Sequence, residues 1–569
     1  MVERSEWVIE RTEATARGGM VAAKTPEAAQ AGADVLARGG NAVDAAVACA
    51  LVAGVVEPWM NGIGGGGYLV RHDPRSDEAT VVEFPMVAPA GAWEGMFPLS
   101  GTGTDAALFG WPAVVDNANI VGHRAAAVPG TVAGLALALE RYGSISFAQA
   151  LAPAIDHAEE GVPVTWHTTL EIARDLANLA RFPATRAVFC DANGFAPFTI
   201  DGSRPVMLRQ ADLARTLRRL ADEGPRSFYE GELGEAMARH LAENGASFTA
   251  ADFANYQPVI SQAVRAPFDG HELVTVGGAT GGTTLAESMR LLDGLGVGRL
   301  DHNPPEALHL MAQAFRIAFA DRYAYLADPR QVEVPLKALL SDDYVGERRK
   351  EIQEGPTRGT SAGSRERLGV RHSLATSMAD YAKGGSTTHL SVIDKDGVAV
   401  SLTQTLLSLW GSRVVVPGTG VLLNNGMMWF DPEPGRPNSV GGGKRPLSNM
   451  SPAILTRDGR ALAALGASGG RRILNCVAQL AINLIHHGMT MQPAVSAPRI
   501  DASTPDLLVD ARLAASTREA LASLGHRVVV KDERQFRGDF ASPACVQFAD
   551  GVFRGGVDPF YFPATAVGH

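Results

Sequence analysis

Three stretches of this 569-residue chain combine residue types and spacings that could do chemistry. The first, Gly466-Ala467-Ser468-Gly469-Gly470, fits GxSxG between an apolar strand, Ala461 to Ala467, and a helix predicted from Arg471 to His487. That is the setting of a nucleophile elbow, in which a tight strand-to-helix turn exposes a serine hydroxyl above a sheet. Asp501, Asp510 and His526 follow in the order such a triad needs. The competing reading is a plain tight turn. The second stretch holds a threonine pair. Thr387 opens an alternating run to Ile393, Asp394-Lys395-Asp396-Gly397 supplies turn chemistry, and Val398 to Thr405 alternates again. This predicts a hairpin with Thr387 at the start of one strand and Thr405 on its partner. Strand threonines are common, because β-branched side chains suit a pleated surface, so periodicity alone leaves a catalytic role open. The third, Gly62-Ile63-Gly64-Gly65-Gly66-Gly67, resembles a phosphate cradle but leads into a strand, Tyr68 to Val70. A dinucleotide loop follows a strand and opens a helix, so close backbone packing is the better reading.

Other chemistries are disfavoured. Cys49, Cys190, Cys476 and Cys545 are far apart and form no CxxC pair, so they indicate neither a metal site nor a disulfide framework; buried small apolar residues are expected. With 51 basic and 61 acidic side chains the net charge is −10, the wrong sign for phosphate neutralisation and hence for nucleic acid. The N-terminal segment alternates charges without an apolar core of the signal-peptide kind, which predicts a cytoplasmic location. Ala45 to Val56 is too short to span a bilayer.

The elements that must position these residues are legible too. With 46% apolar and 20% charged residues the chain can bury a large core. Length alone predicts roughly two to four domains. Thr25-Pro26 opens a helix closed by Gly39-Gly40, and Asn41 caps a second whose lack of a polar face implies burial on nearly all sides. Further helices are predicted over Gly130 to Tyr142, Phe147 to Glu160 and Pro305 to Ala327. From Glu354 to Ser386 the chain is rich in Gly, Ser, Thr and Arg with little periodicity, as a mobile surface segment would be.

The segment TTHLSVIDKDGVAVSLTQTLLSLWG, Thr387 to Gly411, resembles the signature of the γ-glutamyltransferase family of N-terminal-nucleophile (Ntn) hydrolases. GGNAVDAAVA at Gly39, GIGGGGYLV at Gly62, PGTVAGL at Pro129, AFADRYAYLADP at Ala318, LLNNGMMWF at Leu422, KRPLSNMSP at Lys444 and GASGGRRI at Gly466 fall in the family's order. The resemblance implies an α+β fold, a four-layer αββα sandwich formed by one precursor that cuts itself before a threonine. The scissile bond would be Ser386-Thr387, giving a large subunit 1–386 with a mobile tail 354–386, and a small subunit 387–569. A threonine hydroxyl is a weak nucleophile, but an N-terminal threonine carries its own base, an α-amine of pKa about 7.7 to 8.0.

Carried over by position, the resemblance makes Thr387 the nucleophile and Thr405 the second threonine beside it. Gly469 and Gly470 become the oxyanion-hole amides, each donor worth roughly 3 to 4 kcal/mol in comparable sites. Ser468 becomes a bystander. Ser448 matches a substrate-holding serine, with a turn hydroxyl as the alternative, and His389 matches the family's TTH or is a core histidine. The substrate-holding charges do not carry over. Pro85 stands where the family has a carboxylate-binding arginine, and Leu407 replaces an asparagine or glutamate. Gly426 and Trp429 replace the glutamine and aspartate that meet the substrate ammonium, and Asn449 the second serine of a pair. A γ-glutamyl head group would leave charges unmet in a partly dry site, at several kcal/mol each. Leu407, Met427, Met428 and Trp429, with Trp410 near, imply a drier, broader pocket, and the short segment Pro437 to Lys444 a more open mouth. Arg413, Arg471 and Arg472 are the arginines left to grip a carboxylate.

The expected molecule is a self-processing threonine amidohydrolase or acylase that needs no metal or organic cofactor. It acts on a small-molecule amide whose acyl group is not a standard γ-glutamyl. Its partners are its own two subunits, paired heterodimers being open, with neither nucleic acid nor membrane. The alternatives are a γ-glutamyltransferase with substituted binding residues, a non-catalytic relative, and a Ser468 hydrolase.

Overall fold

The computed structural model describes residues 8–104, 110–353, 361–368, 386–534 and 538–569. Two antiparallel sheets face one another. The first runs Thr565–Gly568, Gly19–Ala23, Ser386–Asp394, Ala399–Leu407, Gly66–Asp73, Glu78–Phe84, Val259–Gln262. The second runs Ala14–Ala16, Val552–Val557, Ser542–Ala549, Arg460–Leu465, Ala453–Arg457, His271–Thr275, Val264–Phe268, with Ala467–Ser468 also paired to Ser542–Ala549. Residues on both sides of the 386–387 peptide contribute to both sheets. The chain is thus one four-layer body rather than the two to four domains that length predicts.

Alternation explains the layers. In the Ser386–Asp394 strand, Leu390 and Val392 pack outward with the helices, while Ile393 joins the core between the sheets with Met20, Ala464 and Val546. Ser401 ties the sheets polar atom to polar atom, donating to Leu465 O at 2.8 Å and accepting Ala453 N–H at 3.0 Å. Helices Pro26–Ala37 and Ala42–Val56 cover the first sheet. All fifteen residues of the second helix are buried, and Asn41 and Asp44 close its capping box, as its sequence predicts. Helices Gly281–Leu292, Pro305–Tyr325 and Arg472–Ile485 cover the second sheet, where Leu273, Leu455, Ile473 and Val477 share a core.

The glycine run is structural. A Cβ on Gly64 would lie 2.2 Å from Leu422 O, and one on Gly65 2.3 Å from Thr405 O, so the run exists to let backbones touch beside the second threonine. Part of the expected tail is docked: Gly363 N–H donates to Asp321 Oδ1 at 2.7 Å, Arg348 Nη2 reaches Ser361 O at 2.7 Å, and Leu368 is buried. Residues 354–360 and 369–385 of that segment lie outside the described residues.

Candidate active site

The hairpin predicted around Thr387 and Thr405 spans Ser386–Asp394 and Ala399–Leu407. Its register breaks at one place. Ser386 pairs with Leu407 and Thr388 with Gln404, leaving Thr387 in a bulge. Thr387 is 4% exposed; its Oγ1 donates to Ser386 O at 2.8 Å and lies 3.4 Å from Thr405 Oγ1. The Thr405 hydroxyl donates to the same carbonyl oxygen at 2.5 Å and accepts the Leu407 N–H at 2.7 Å. Leu407 pays for that bond with φ +95°, a region L-residues avoid. Two hydroxyls therefore converge on the Ser386 carbonyl, an arrangement that polarises it toward attack.

Beneath the bulge is a buried network that the sequence reading missed. Thr388 Oγ1 donates to Glu57 Oε2 at 2.6 Å, Tyr561 OH donates to Glu57 Oε1 at 2.5 Å, and Trp59 Nε1 donates to Tyr561 OH at 3.2 Å. Desolvation pushes the Glu57 carboxyl up to about 7, against the pull of the nearby Lys24 ammonium. The available signal was a carboxylate directly after a helix that is apolar throughout beyond Asp44. Lys24 sits 3.6 Å over the Tyr561 ring and donates to Ser542 Oγ, whose residue is paired with Ser468. This chain of contacts brings the Gly469-Gly470 turn toward the threonines, and the Ala467–Ser468 strand lies against the Ser386–Asp394 strand.

Gly469 and Gly470 adopt φ +138° and +64°, and a Cβ on Gly469 would meet Ala541 Cα at 2.8 Å. Among the described residues neither N–H donates a hydrogen bond. Unclaimed amides at a turn before a fourteen-residue helix are what an oxyanion site requires.

The serine-triad constellation is not assembled. Ser468 does stand between strand and helix, but among the described residues its Oγ meets only Ser542 O, at 3.5 Å. His526 bonds His309 at 2.8 Å and, with Arg316 near, burial drives its ring down to about 4. Asp501 is held by Asn475 and Ser503, and Asp510 by Arg512. His389 is a core histidine, its ring nitrogens on Thr403 Oγ1 at 2.8 Å and Ser391 Oγ at 3.0 Å, with burial driving it down to about 3.

The positions expected to hold substrate fall into two groups. Leu407, Met427, Met428 and Trp429 share one buried apolar cluster, whereas Trp410 belongs to another with Trp59, Phe189 and Leu406. Gly426 has no room for a side chain, because a Cβ would meet Ala127 Cβ at 2.8 Å. Pro85 offers only its carbonyl, which accepts Tyr256 OH at 2.7 Å. Ser448 Oγ accepts Met450 N–H at 3.2 Å, a turn hydroxyl in this uncut chain. Arg322, buried on the Pro305–Tyr325 helix, was also missed; its two Nη atoms hold Thr280 O, Ser448 O and Asn449 Oδ1 at 2.6–2.9 Å. Within the short segment Pro437 to Lys444, Asn438 donates to Trp429 O at 2.7 Å and accepts Leu447 N–H at 3.0 Å. A cavity of about 670 Å³ lies elsewhere, among Glu10, Arg11, Gln492, Arg512 and Phe560.

Of the three spare arginines, Arg413 is spent on Asp175 at 2.6 Å and Ser408 at 2.9 Å, and Arg472 Nε holds Gly469 O at 3.1 Å. Arg471 has no hydrogen-bond or ion-pair partner among the described residues. No group of three or more His, Cys, Asp or Glu side chains among the described residues is arranged to hold a metal, and no described helix is long and apolar enough to cross a membrane.

Comparison with known proteins agrees with this geometry. The γ-glutamyltranspeptidase family profile matches residues 28–559. The chain is 36% identical over 535 residues to the acylase ACY 1 proenzyme of Pseudomonas sp. (strain V22), covering 92% of this chain and 90% of that one. It is 34% identical over 490 residues to the glutathione hydrolase proenzyme of Bacillus subtilis (strain 168), covering 85% and 80%. The crystal structure of cephalosporin acylase from Bacillus halodurans superposes with a TM-score of 0.84 at 27% identity, over 100% of this chain and 99% of that one. A chain whose two facing sheets carry the hairpin, the glycine turn and the sequence of this family over almost its whole length is a member of it: the protein belongs to the γ-glutamyltranspeptidase family and is an amide hydrolase of the N-terminal-nucleophile type.

Proposed function

We propose that Thr387 is the nucleophile of a self-processing amidohydrolase whose acyl group is not a standard γ-glutamyl. The observation that carries this is the Ser386 carbonyl, held at 2.5 Å by Thr405 and at 2.8 Å by Thr387 itself, at a bulge in an otherwise regular hairpin. In the precursor Thr387 Oγ1 attacks the Ser386 carbonyl carbon, and the C–N bond to Thr387 breaks as the nitrogen takes a proton. Water then hydrolyses the resulting ester, leaving a Ser386 carboxylate and a free Thr387 amine. In the mature enzyme that amine takes the Oγ1 proton as Oγ1 attacks the substrate carbonyl, whose developing oxyanion is met by the Gly469 and Gly470 N–H groups. The amine product leaves and water releases the acyl group.

Against a γ-glutamyl donor stand the sealed Gly426 and the apolar Leu407 and Trp429. The name acylase borne by the Pseudomonas relative and by the Bacillus halodurans structure supports the same choice. A cytoplasmic location completes the proposal.

The test is the denatured intact mass of purified protein with Thr387→Ala alongside. Fragments 1–386 and 387–569, absent in the variant, are expected; one persistent full-length species would sink the threonine mechanism. Turnover of γ-glutamyl, glutaryl and simple acyl anilides by the mature enzyme then tests the acyl group, and a clear preference for γ-glutamyl would refute that part.

A further inference from the structure

Cutting the chain before Thr387 frees the residue that must afterwards be held most firmly. Among the described residues the Ser386–Asp394 strand is paired with Gly19–Ala23 only from Ser391 to Asp394, so its first five residues are laddered on one side alone. On that side Thr387 lies out of register, between the Ser386–Leu407 and Thr388–Gln404 pairs. In the uncut chain it is fixed through both neighbours. Ser386 Oγ donates to Trp59 O at 3.3 Å, and Thr388 Oγ1 donates to Glu57 Oε2 at 2.6 Å. Once the 386–387 bond is gone, the Ser386 anchor no longer reaches Thr387 through the chain. The anchor on Thr388 does, and chain ends that nothing ties down fray.

The group that holds Thr388 is itself rigidly placed. Glu57 is fully buried and directly follows the Ala42–Val56 helix, every residue of which is buried, and its N–H donates to Ala53 O at 2.9 Å. Its carboxyl oxygens are divided between two donors: Oε2 takes Thr388, and Oε1 takes Tyr561 OH, which is tied in turn to Trp59 Nε1 at 3.2 Å. Glu57 belongs to the 1–386 piece and both hydroxyls to the 387–569 piece, so after the cut these bonds cross the boundary between subunits. Burial disfavours the charged carboxyl here, and an apolar side chain would suit the core better. What the carboxyl supplies instead is a fixed acceptor beside the nucleophile.

We propose that Glu57 is a positioning residue for turnover: through Thr388 it holds the free Thr387 in attacking geometry after self-cleavage. This rests on the threonine reading above. A nucleophile misplaced by about 1 Å can lose on the order of 10² in rate, so one lost tie at the neighbouring residue has a large effect. The precursor, in which Thr387 is still bonded to an anchored Ser386, depends on the clamp less than the mature enzyme does.

The experiment measures self-cleavage and turnover in Glu57→Met, Glu57→Gln, Thr388→Val and the Glu57→Met/Thr388→Val pair. The substrate is whichever of γ-glutamyl, glutaryl and butyryl p-nitroanilide wild type turns over fastest. Glu57→Met and Thr388→Val should each lower kcat at least tenfold with KM within twofold of wild type, while fragments appear at a rate within threefold. The double variant should be no slower than Glu57→Met, because both changes remove one bond. Glu57→Gln, whose amide can still donate to Thr388 Oγ1, should keep a third or more of kcat. Wild-type kcat in both single variants, losses that multiply in the double variant, or self-cleavage slowed as much as turnover would each overturn the proposal; the last would give Glu57 a purely structural role. Hydrogen exchange on the mature protein needs no substrate: the peptide that begins at Thr387 should exchange faster in Glu57→Met than in wild type with the other peptides unchanged, and equal exchange also overturns the proposal. An uncut wild type marks failure of the threonine reading itself, whereas a cut wild type that turns over none of the anilides marks failure of the acyl range, and exchange then decides the clamp.

Discussion

The Thr405 hydroxyl donates to the Ser386 carbonyl at 2.5 Å while its own oxygen accepts the Leu407 N–H at 2.7 Å. These contacts cross the hairpin where its register slips, so the irregular strand pairing and the polarised carbonyl are the same feature. A regular ladder would direct the Ser386 carbonyl to a backbone N–H. Here a bulge frees it for two hydroxyls, and the strain appears at Leu407, φ +95°.

Removing the nucleophile and removing the rival serine should have opposite outcomes. Thr387→Ala is expected to remain one chain and to be inactive. Ser468→Ala should be cut and active, since among the described residues its hydroxyl meets only Ser542 O at 3.5 Å. Intact mass and amide turnover on both variants check this, and an inactive, cut Ser468→Ala would restore the serine mechanism.

Thr405→Val keeps the shape of the side chain and removes the donor to Ser386 O. Self-cleavage should slow by about 10²- to 10³-fold, the usual effect of losing one donor to a developing oxyanion. Thr405→Ser should recover most of the rate. A time course of fragment appearance after purification measures both.

Gly469→Ala forces a Cβ to within 2.8 Å of Ala541 Cα at φ +138°. The strain is expected to cost about 1 to 3 kcal/mol, and a displaced turn should lower kcat more than it raises KM. Thermal melts and steady-state kinetics separate the two effects.

Glu57 predicts a pH-dependent stability. Its carboxyl sits near 7 in the fold against an ordinary 4.5, so between those values the folded chain keeps a proton the unfolded chain gives up. The associated stability is full below 4.5 and is lost as pH rises through about 7, by about 3 kcal/mol for a shift of this size. In the uncut Thr387→Ala background, Glu57→Gln should melt with its parent at pH 5 and above it at pH 8.5. Equal melting temperatures at both pH values would show that Glu57 ionises normally.

The buried histidine has the opposite sign. His389 is driven down to about 3 by burial, so the unfolded chain takes a proton below about 6.5 that the folded one refuses. Its contribution is complete above 6.5 and is lost as pH falls toward 3. Urea midpoints should decline from pH 6.5 to 4, and His389→Gln should flatten part of that decline.

Much of this was legible because local rules and tertiary context agree. Asn41 and Ser146 cap the helices their positions imply, and the helix without a polar face is buried throughout. The turn at Asp394 to Gly397 produces the hairpin that alternation predicts. Helix ends at Tyr325 and Ile485 fall two residues short of their predicted limits at Ala327 and His487, since the terminal turn is the part of a helix that local pattern fixes least.

The sequence by itself determined the hairpin, the capped helices and the glycine turns, because spacing within a strand or a turn is a local property written in consecutive residues, while the αββα layers followed from the resemblance that its ordered motifs carry. Tertiary structure alone decided the rest. It set Glu57, Tyr561 and Lys24 beneath the bulge from three distant parts of the chain. It withdrew Arg413 by giving it Asp175, separated His526 and Asp501 from Ser468, and left Arg471 without a partner among the described residues. Whether a charged side chain is answered depends on which atoms the packed layers bring within about 4 Å of it. Contacts separated by hundreds of residues leave no pattern in the sequence that would reveal them.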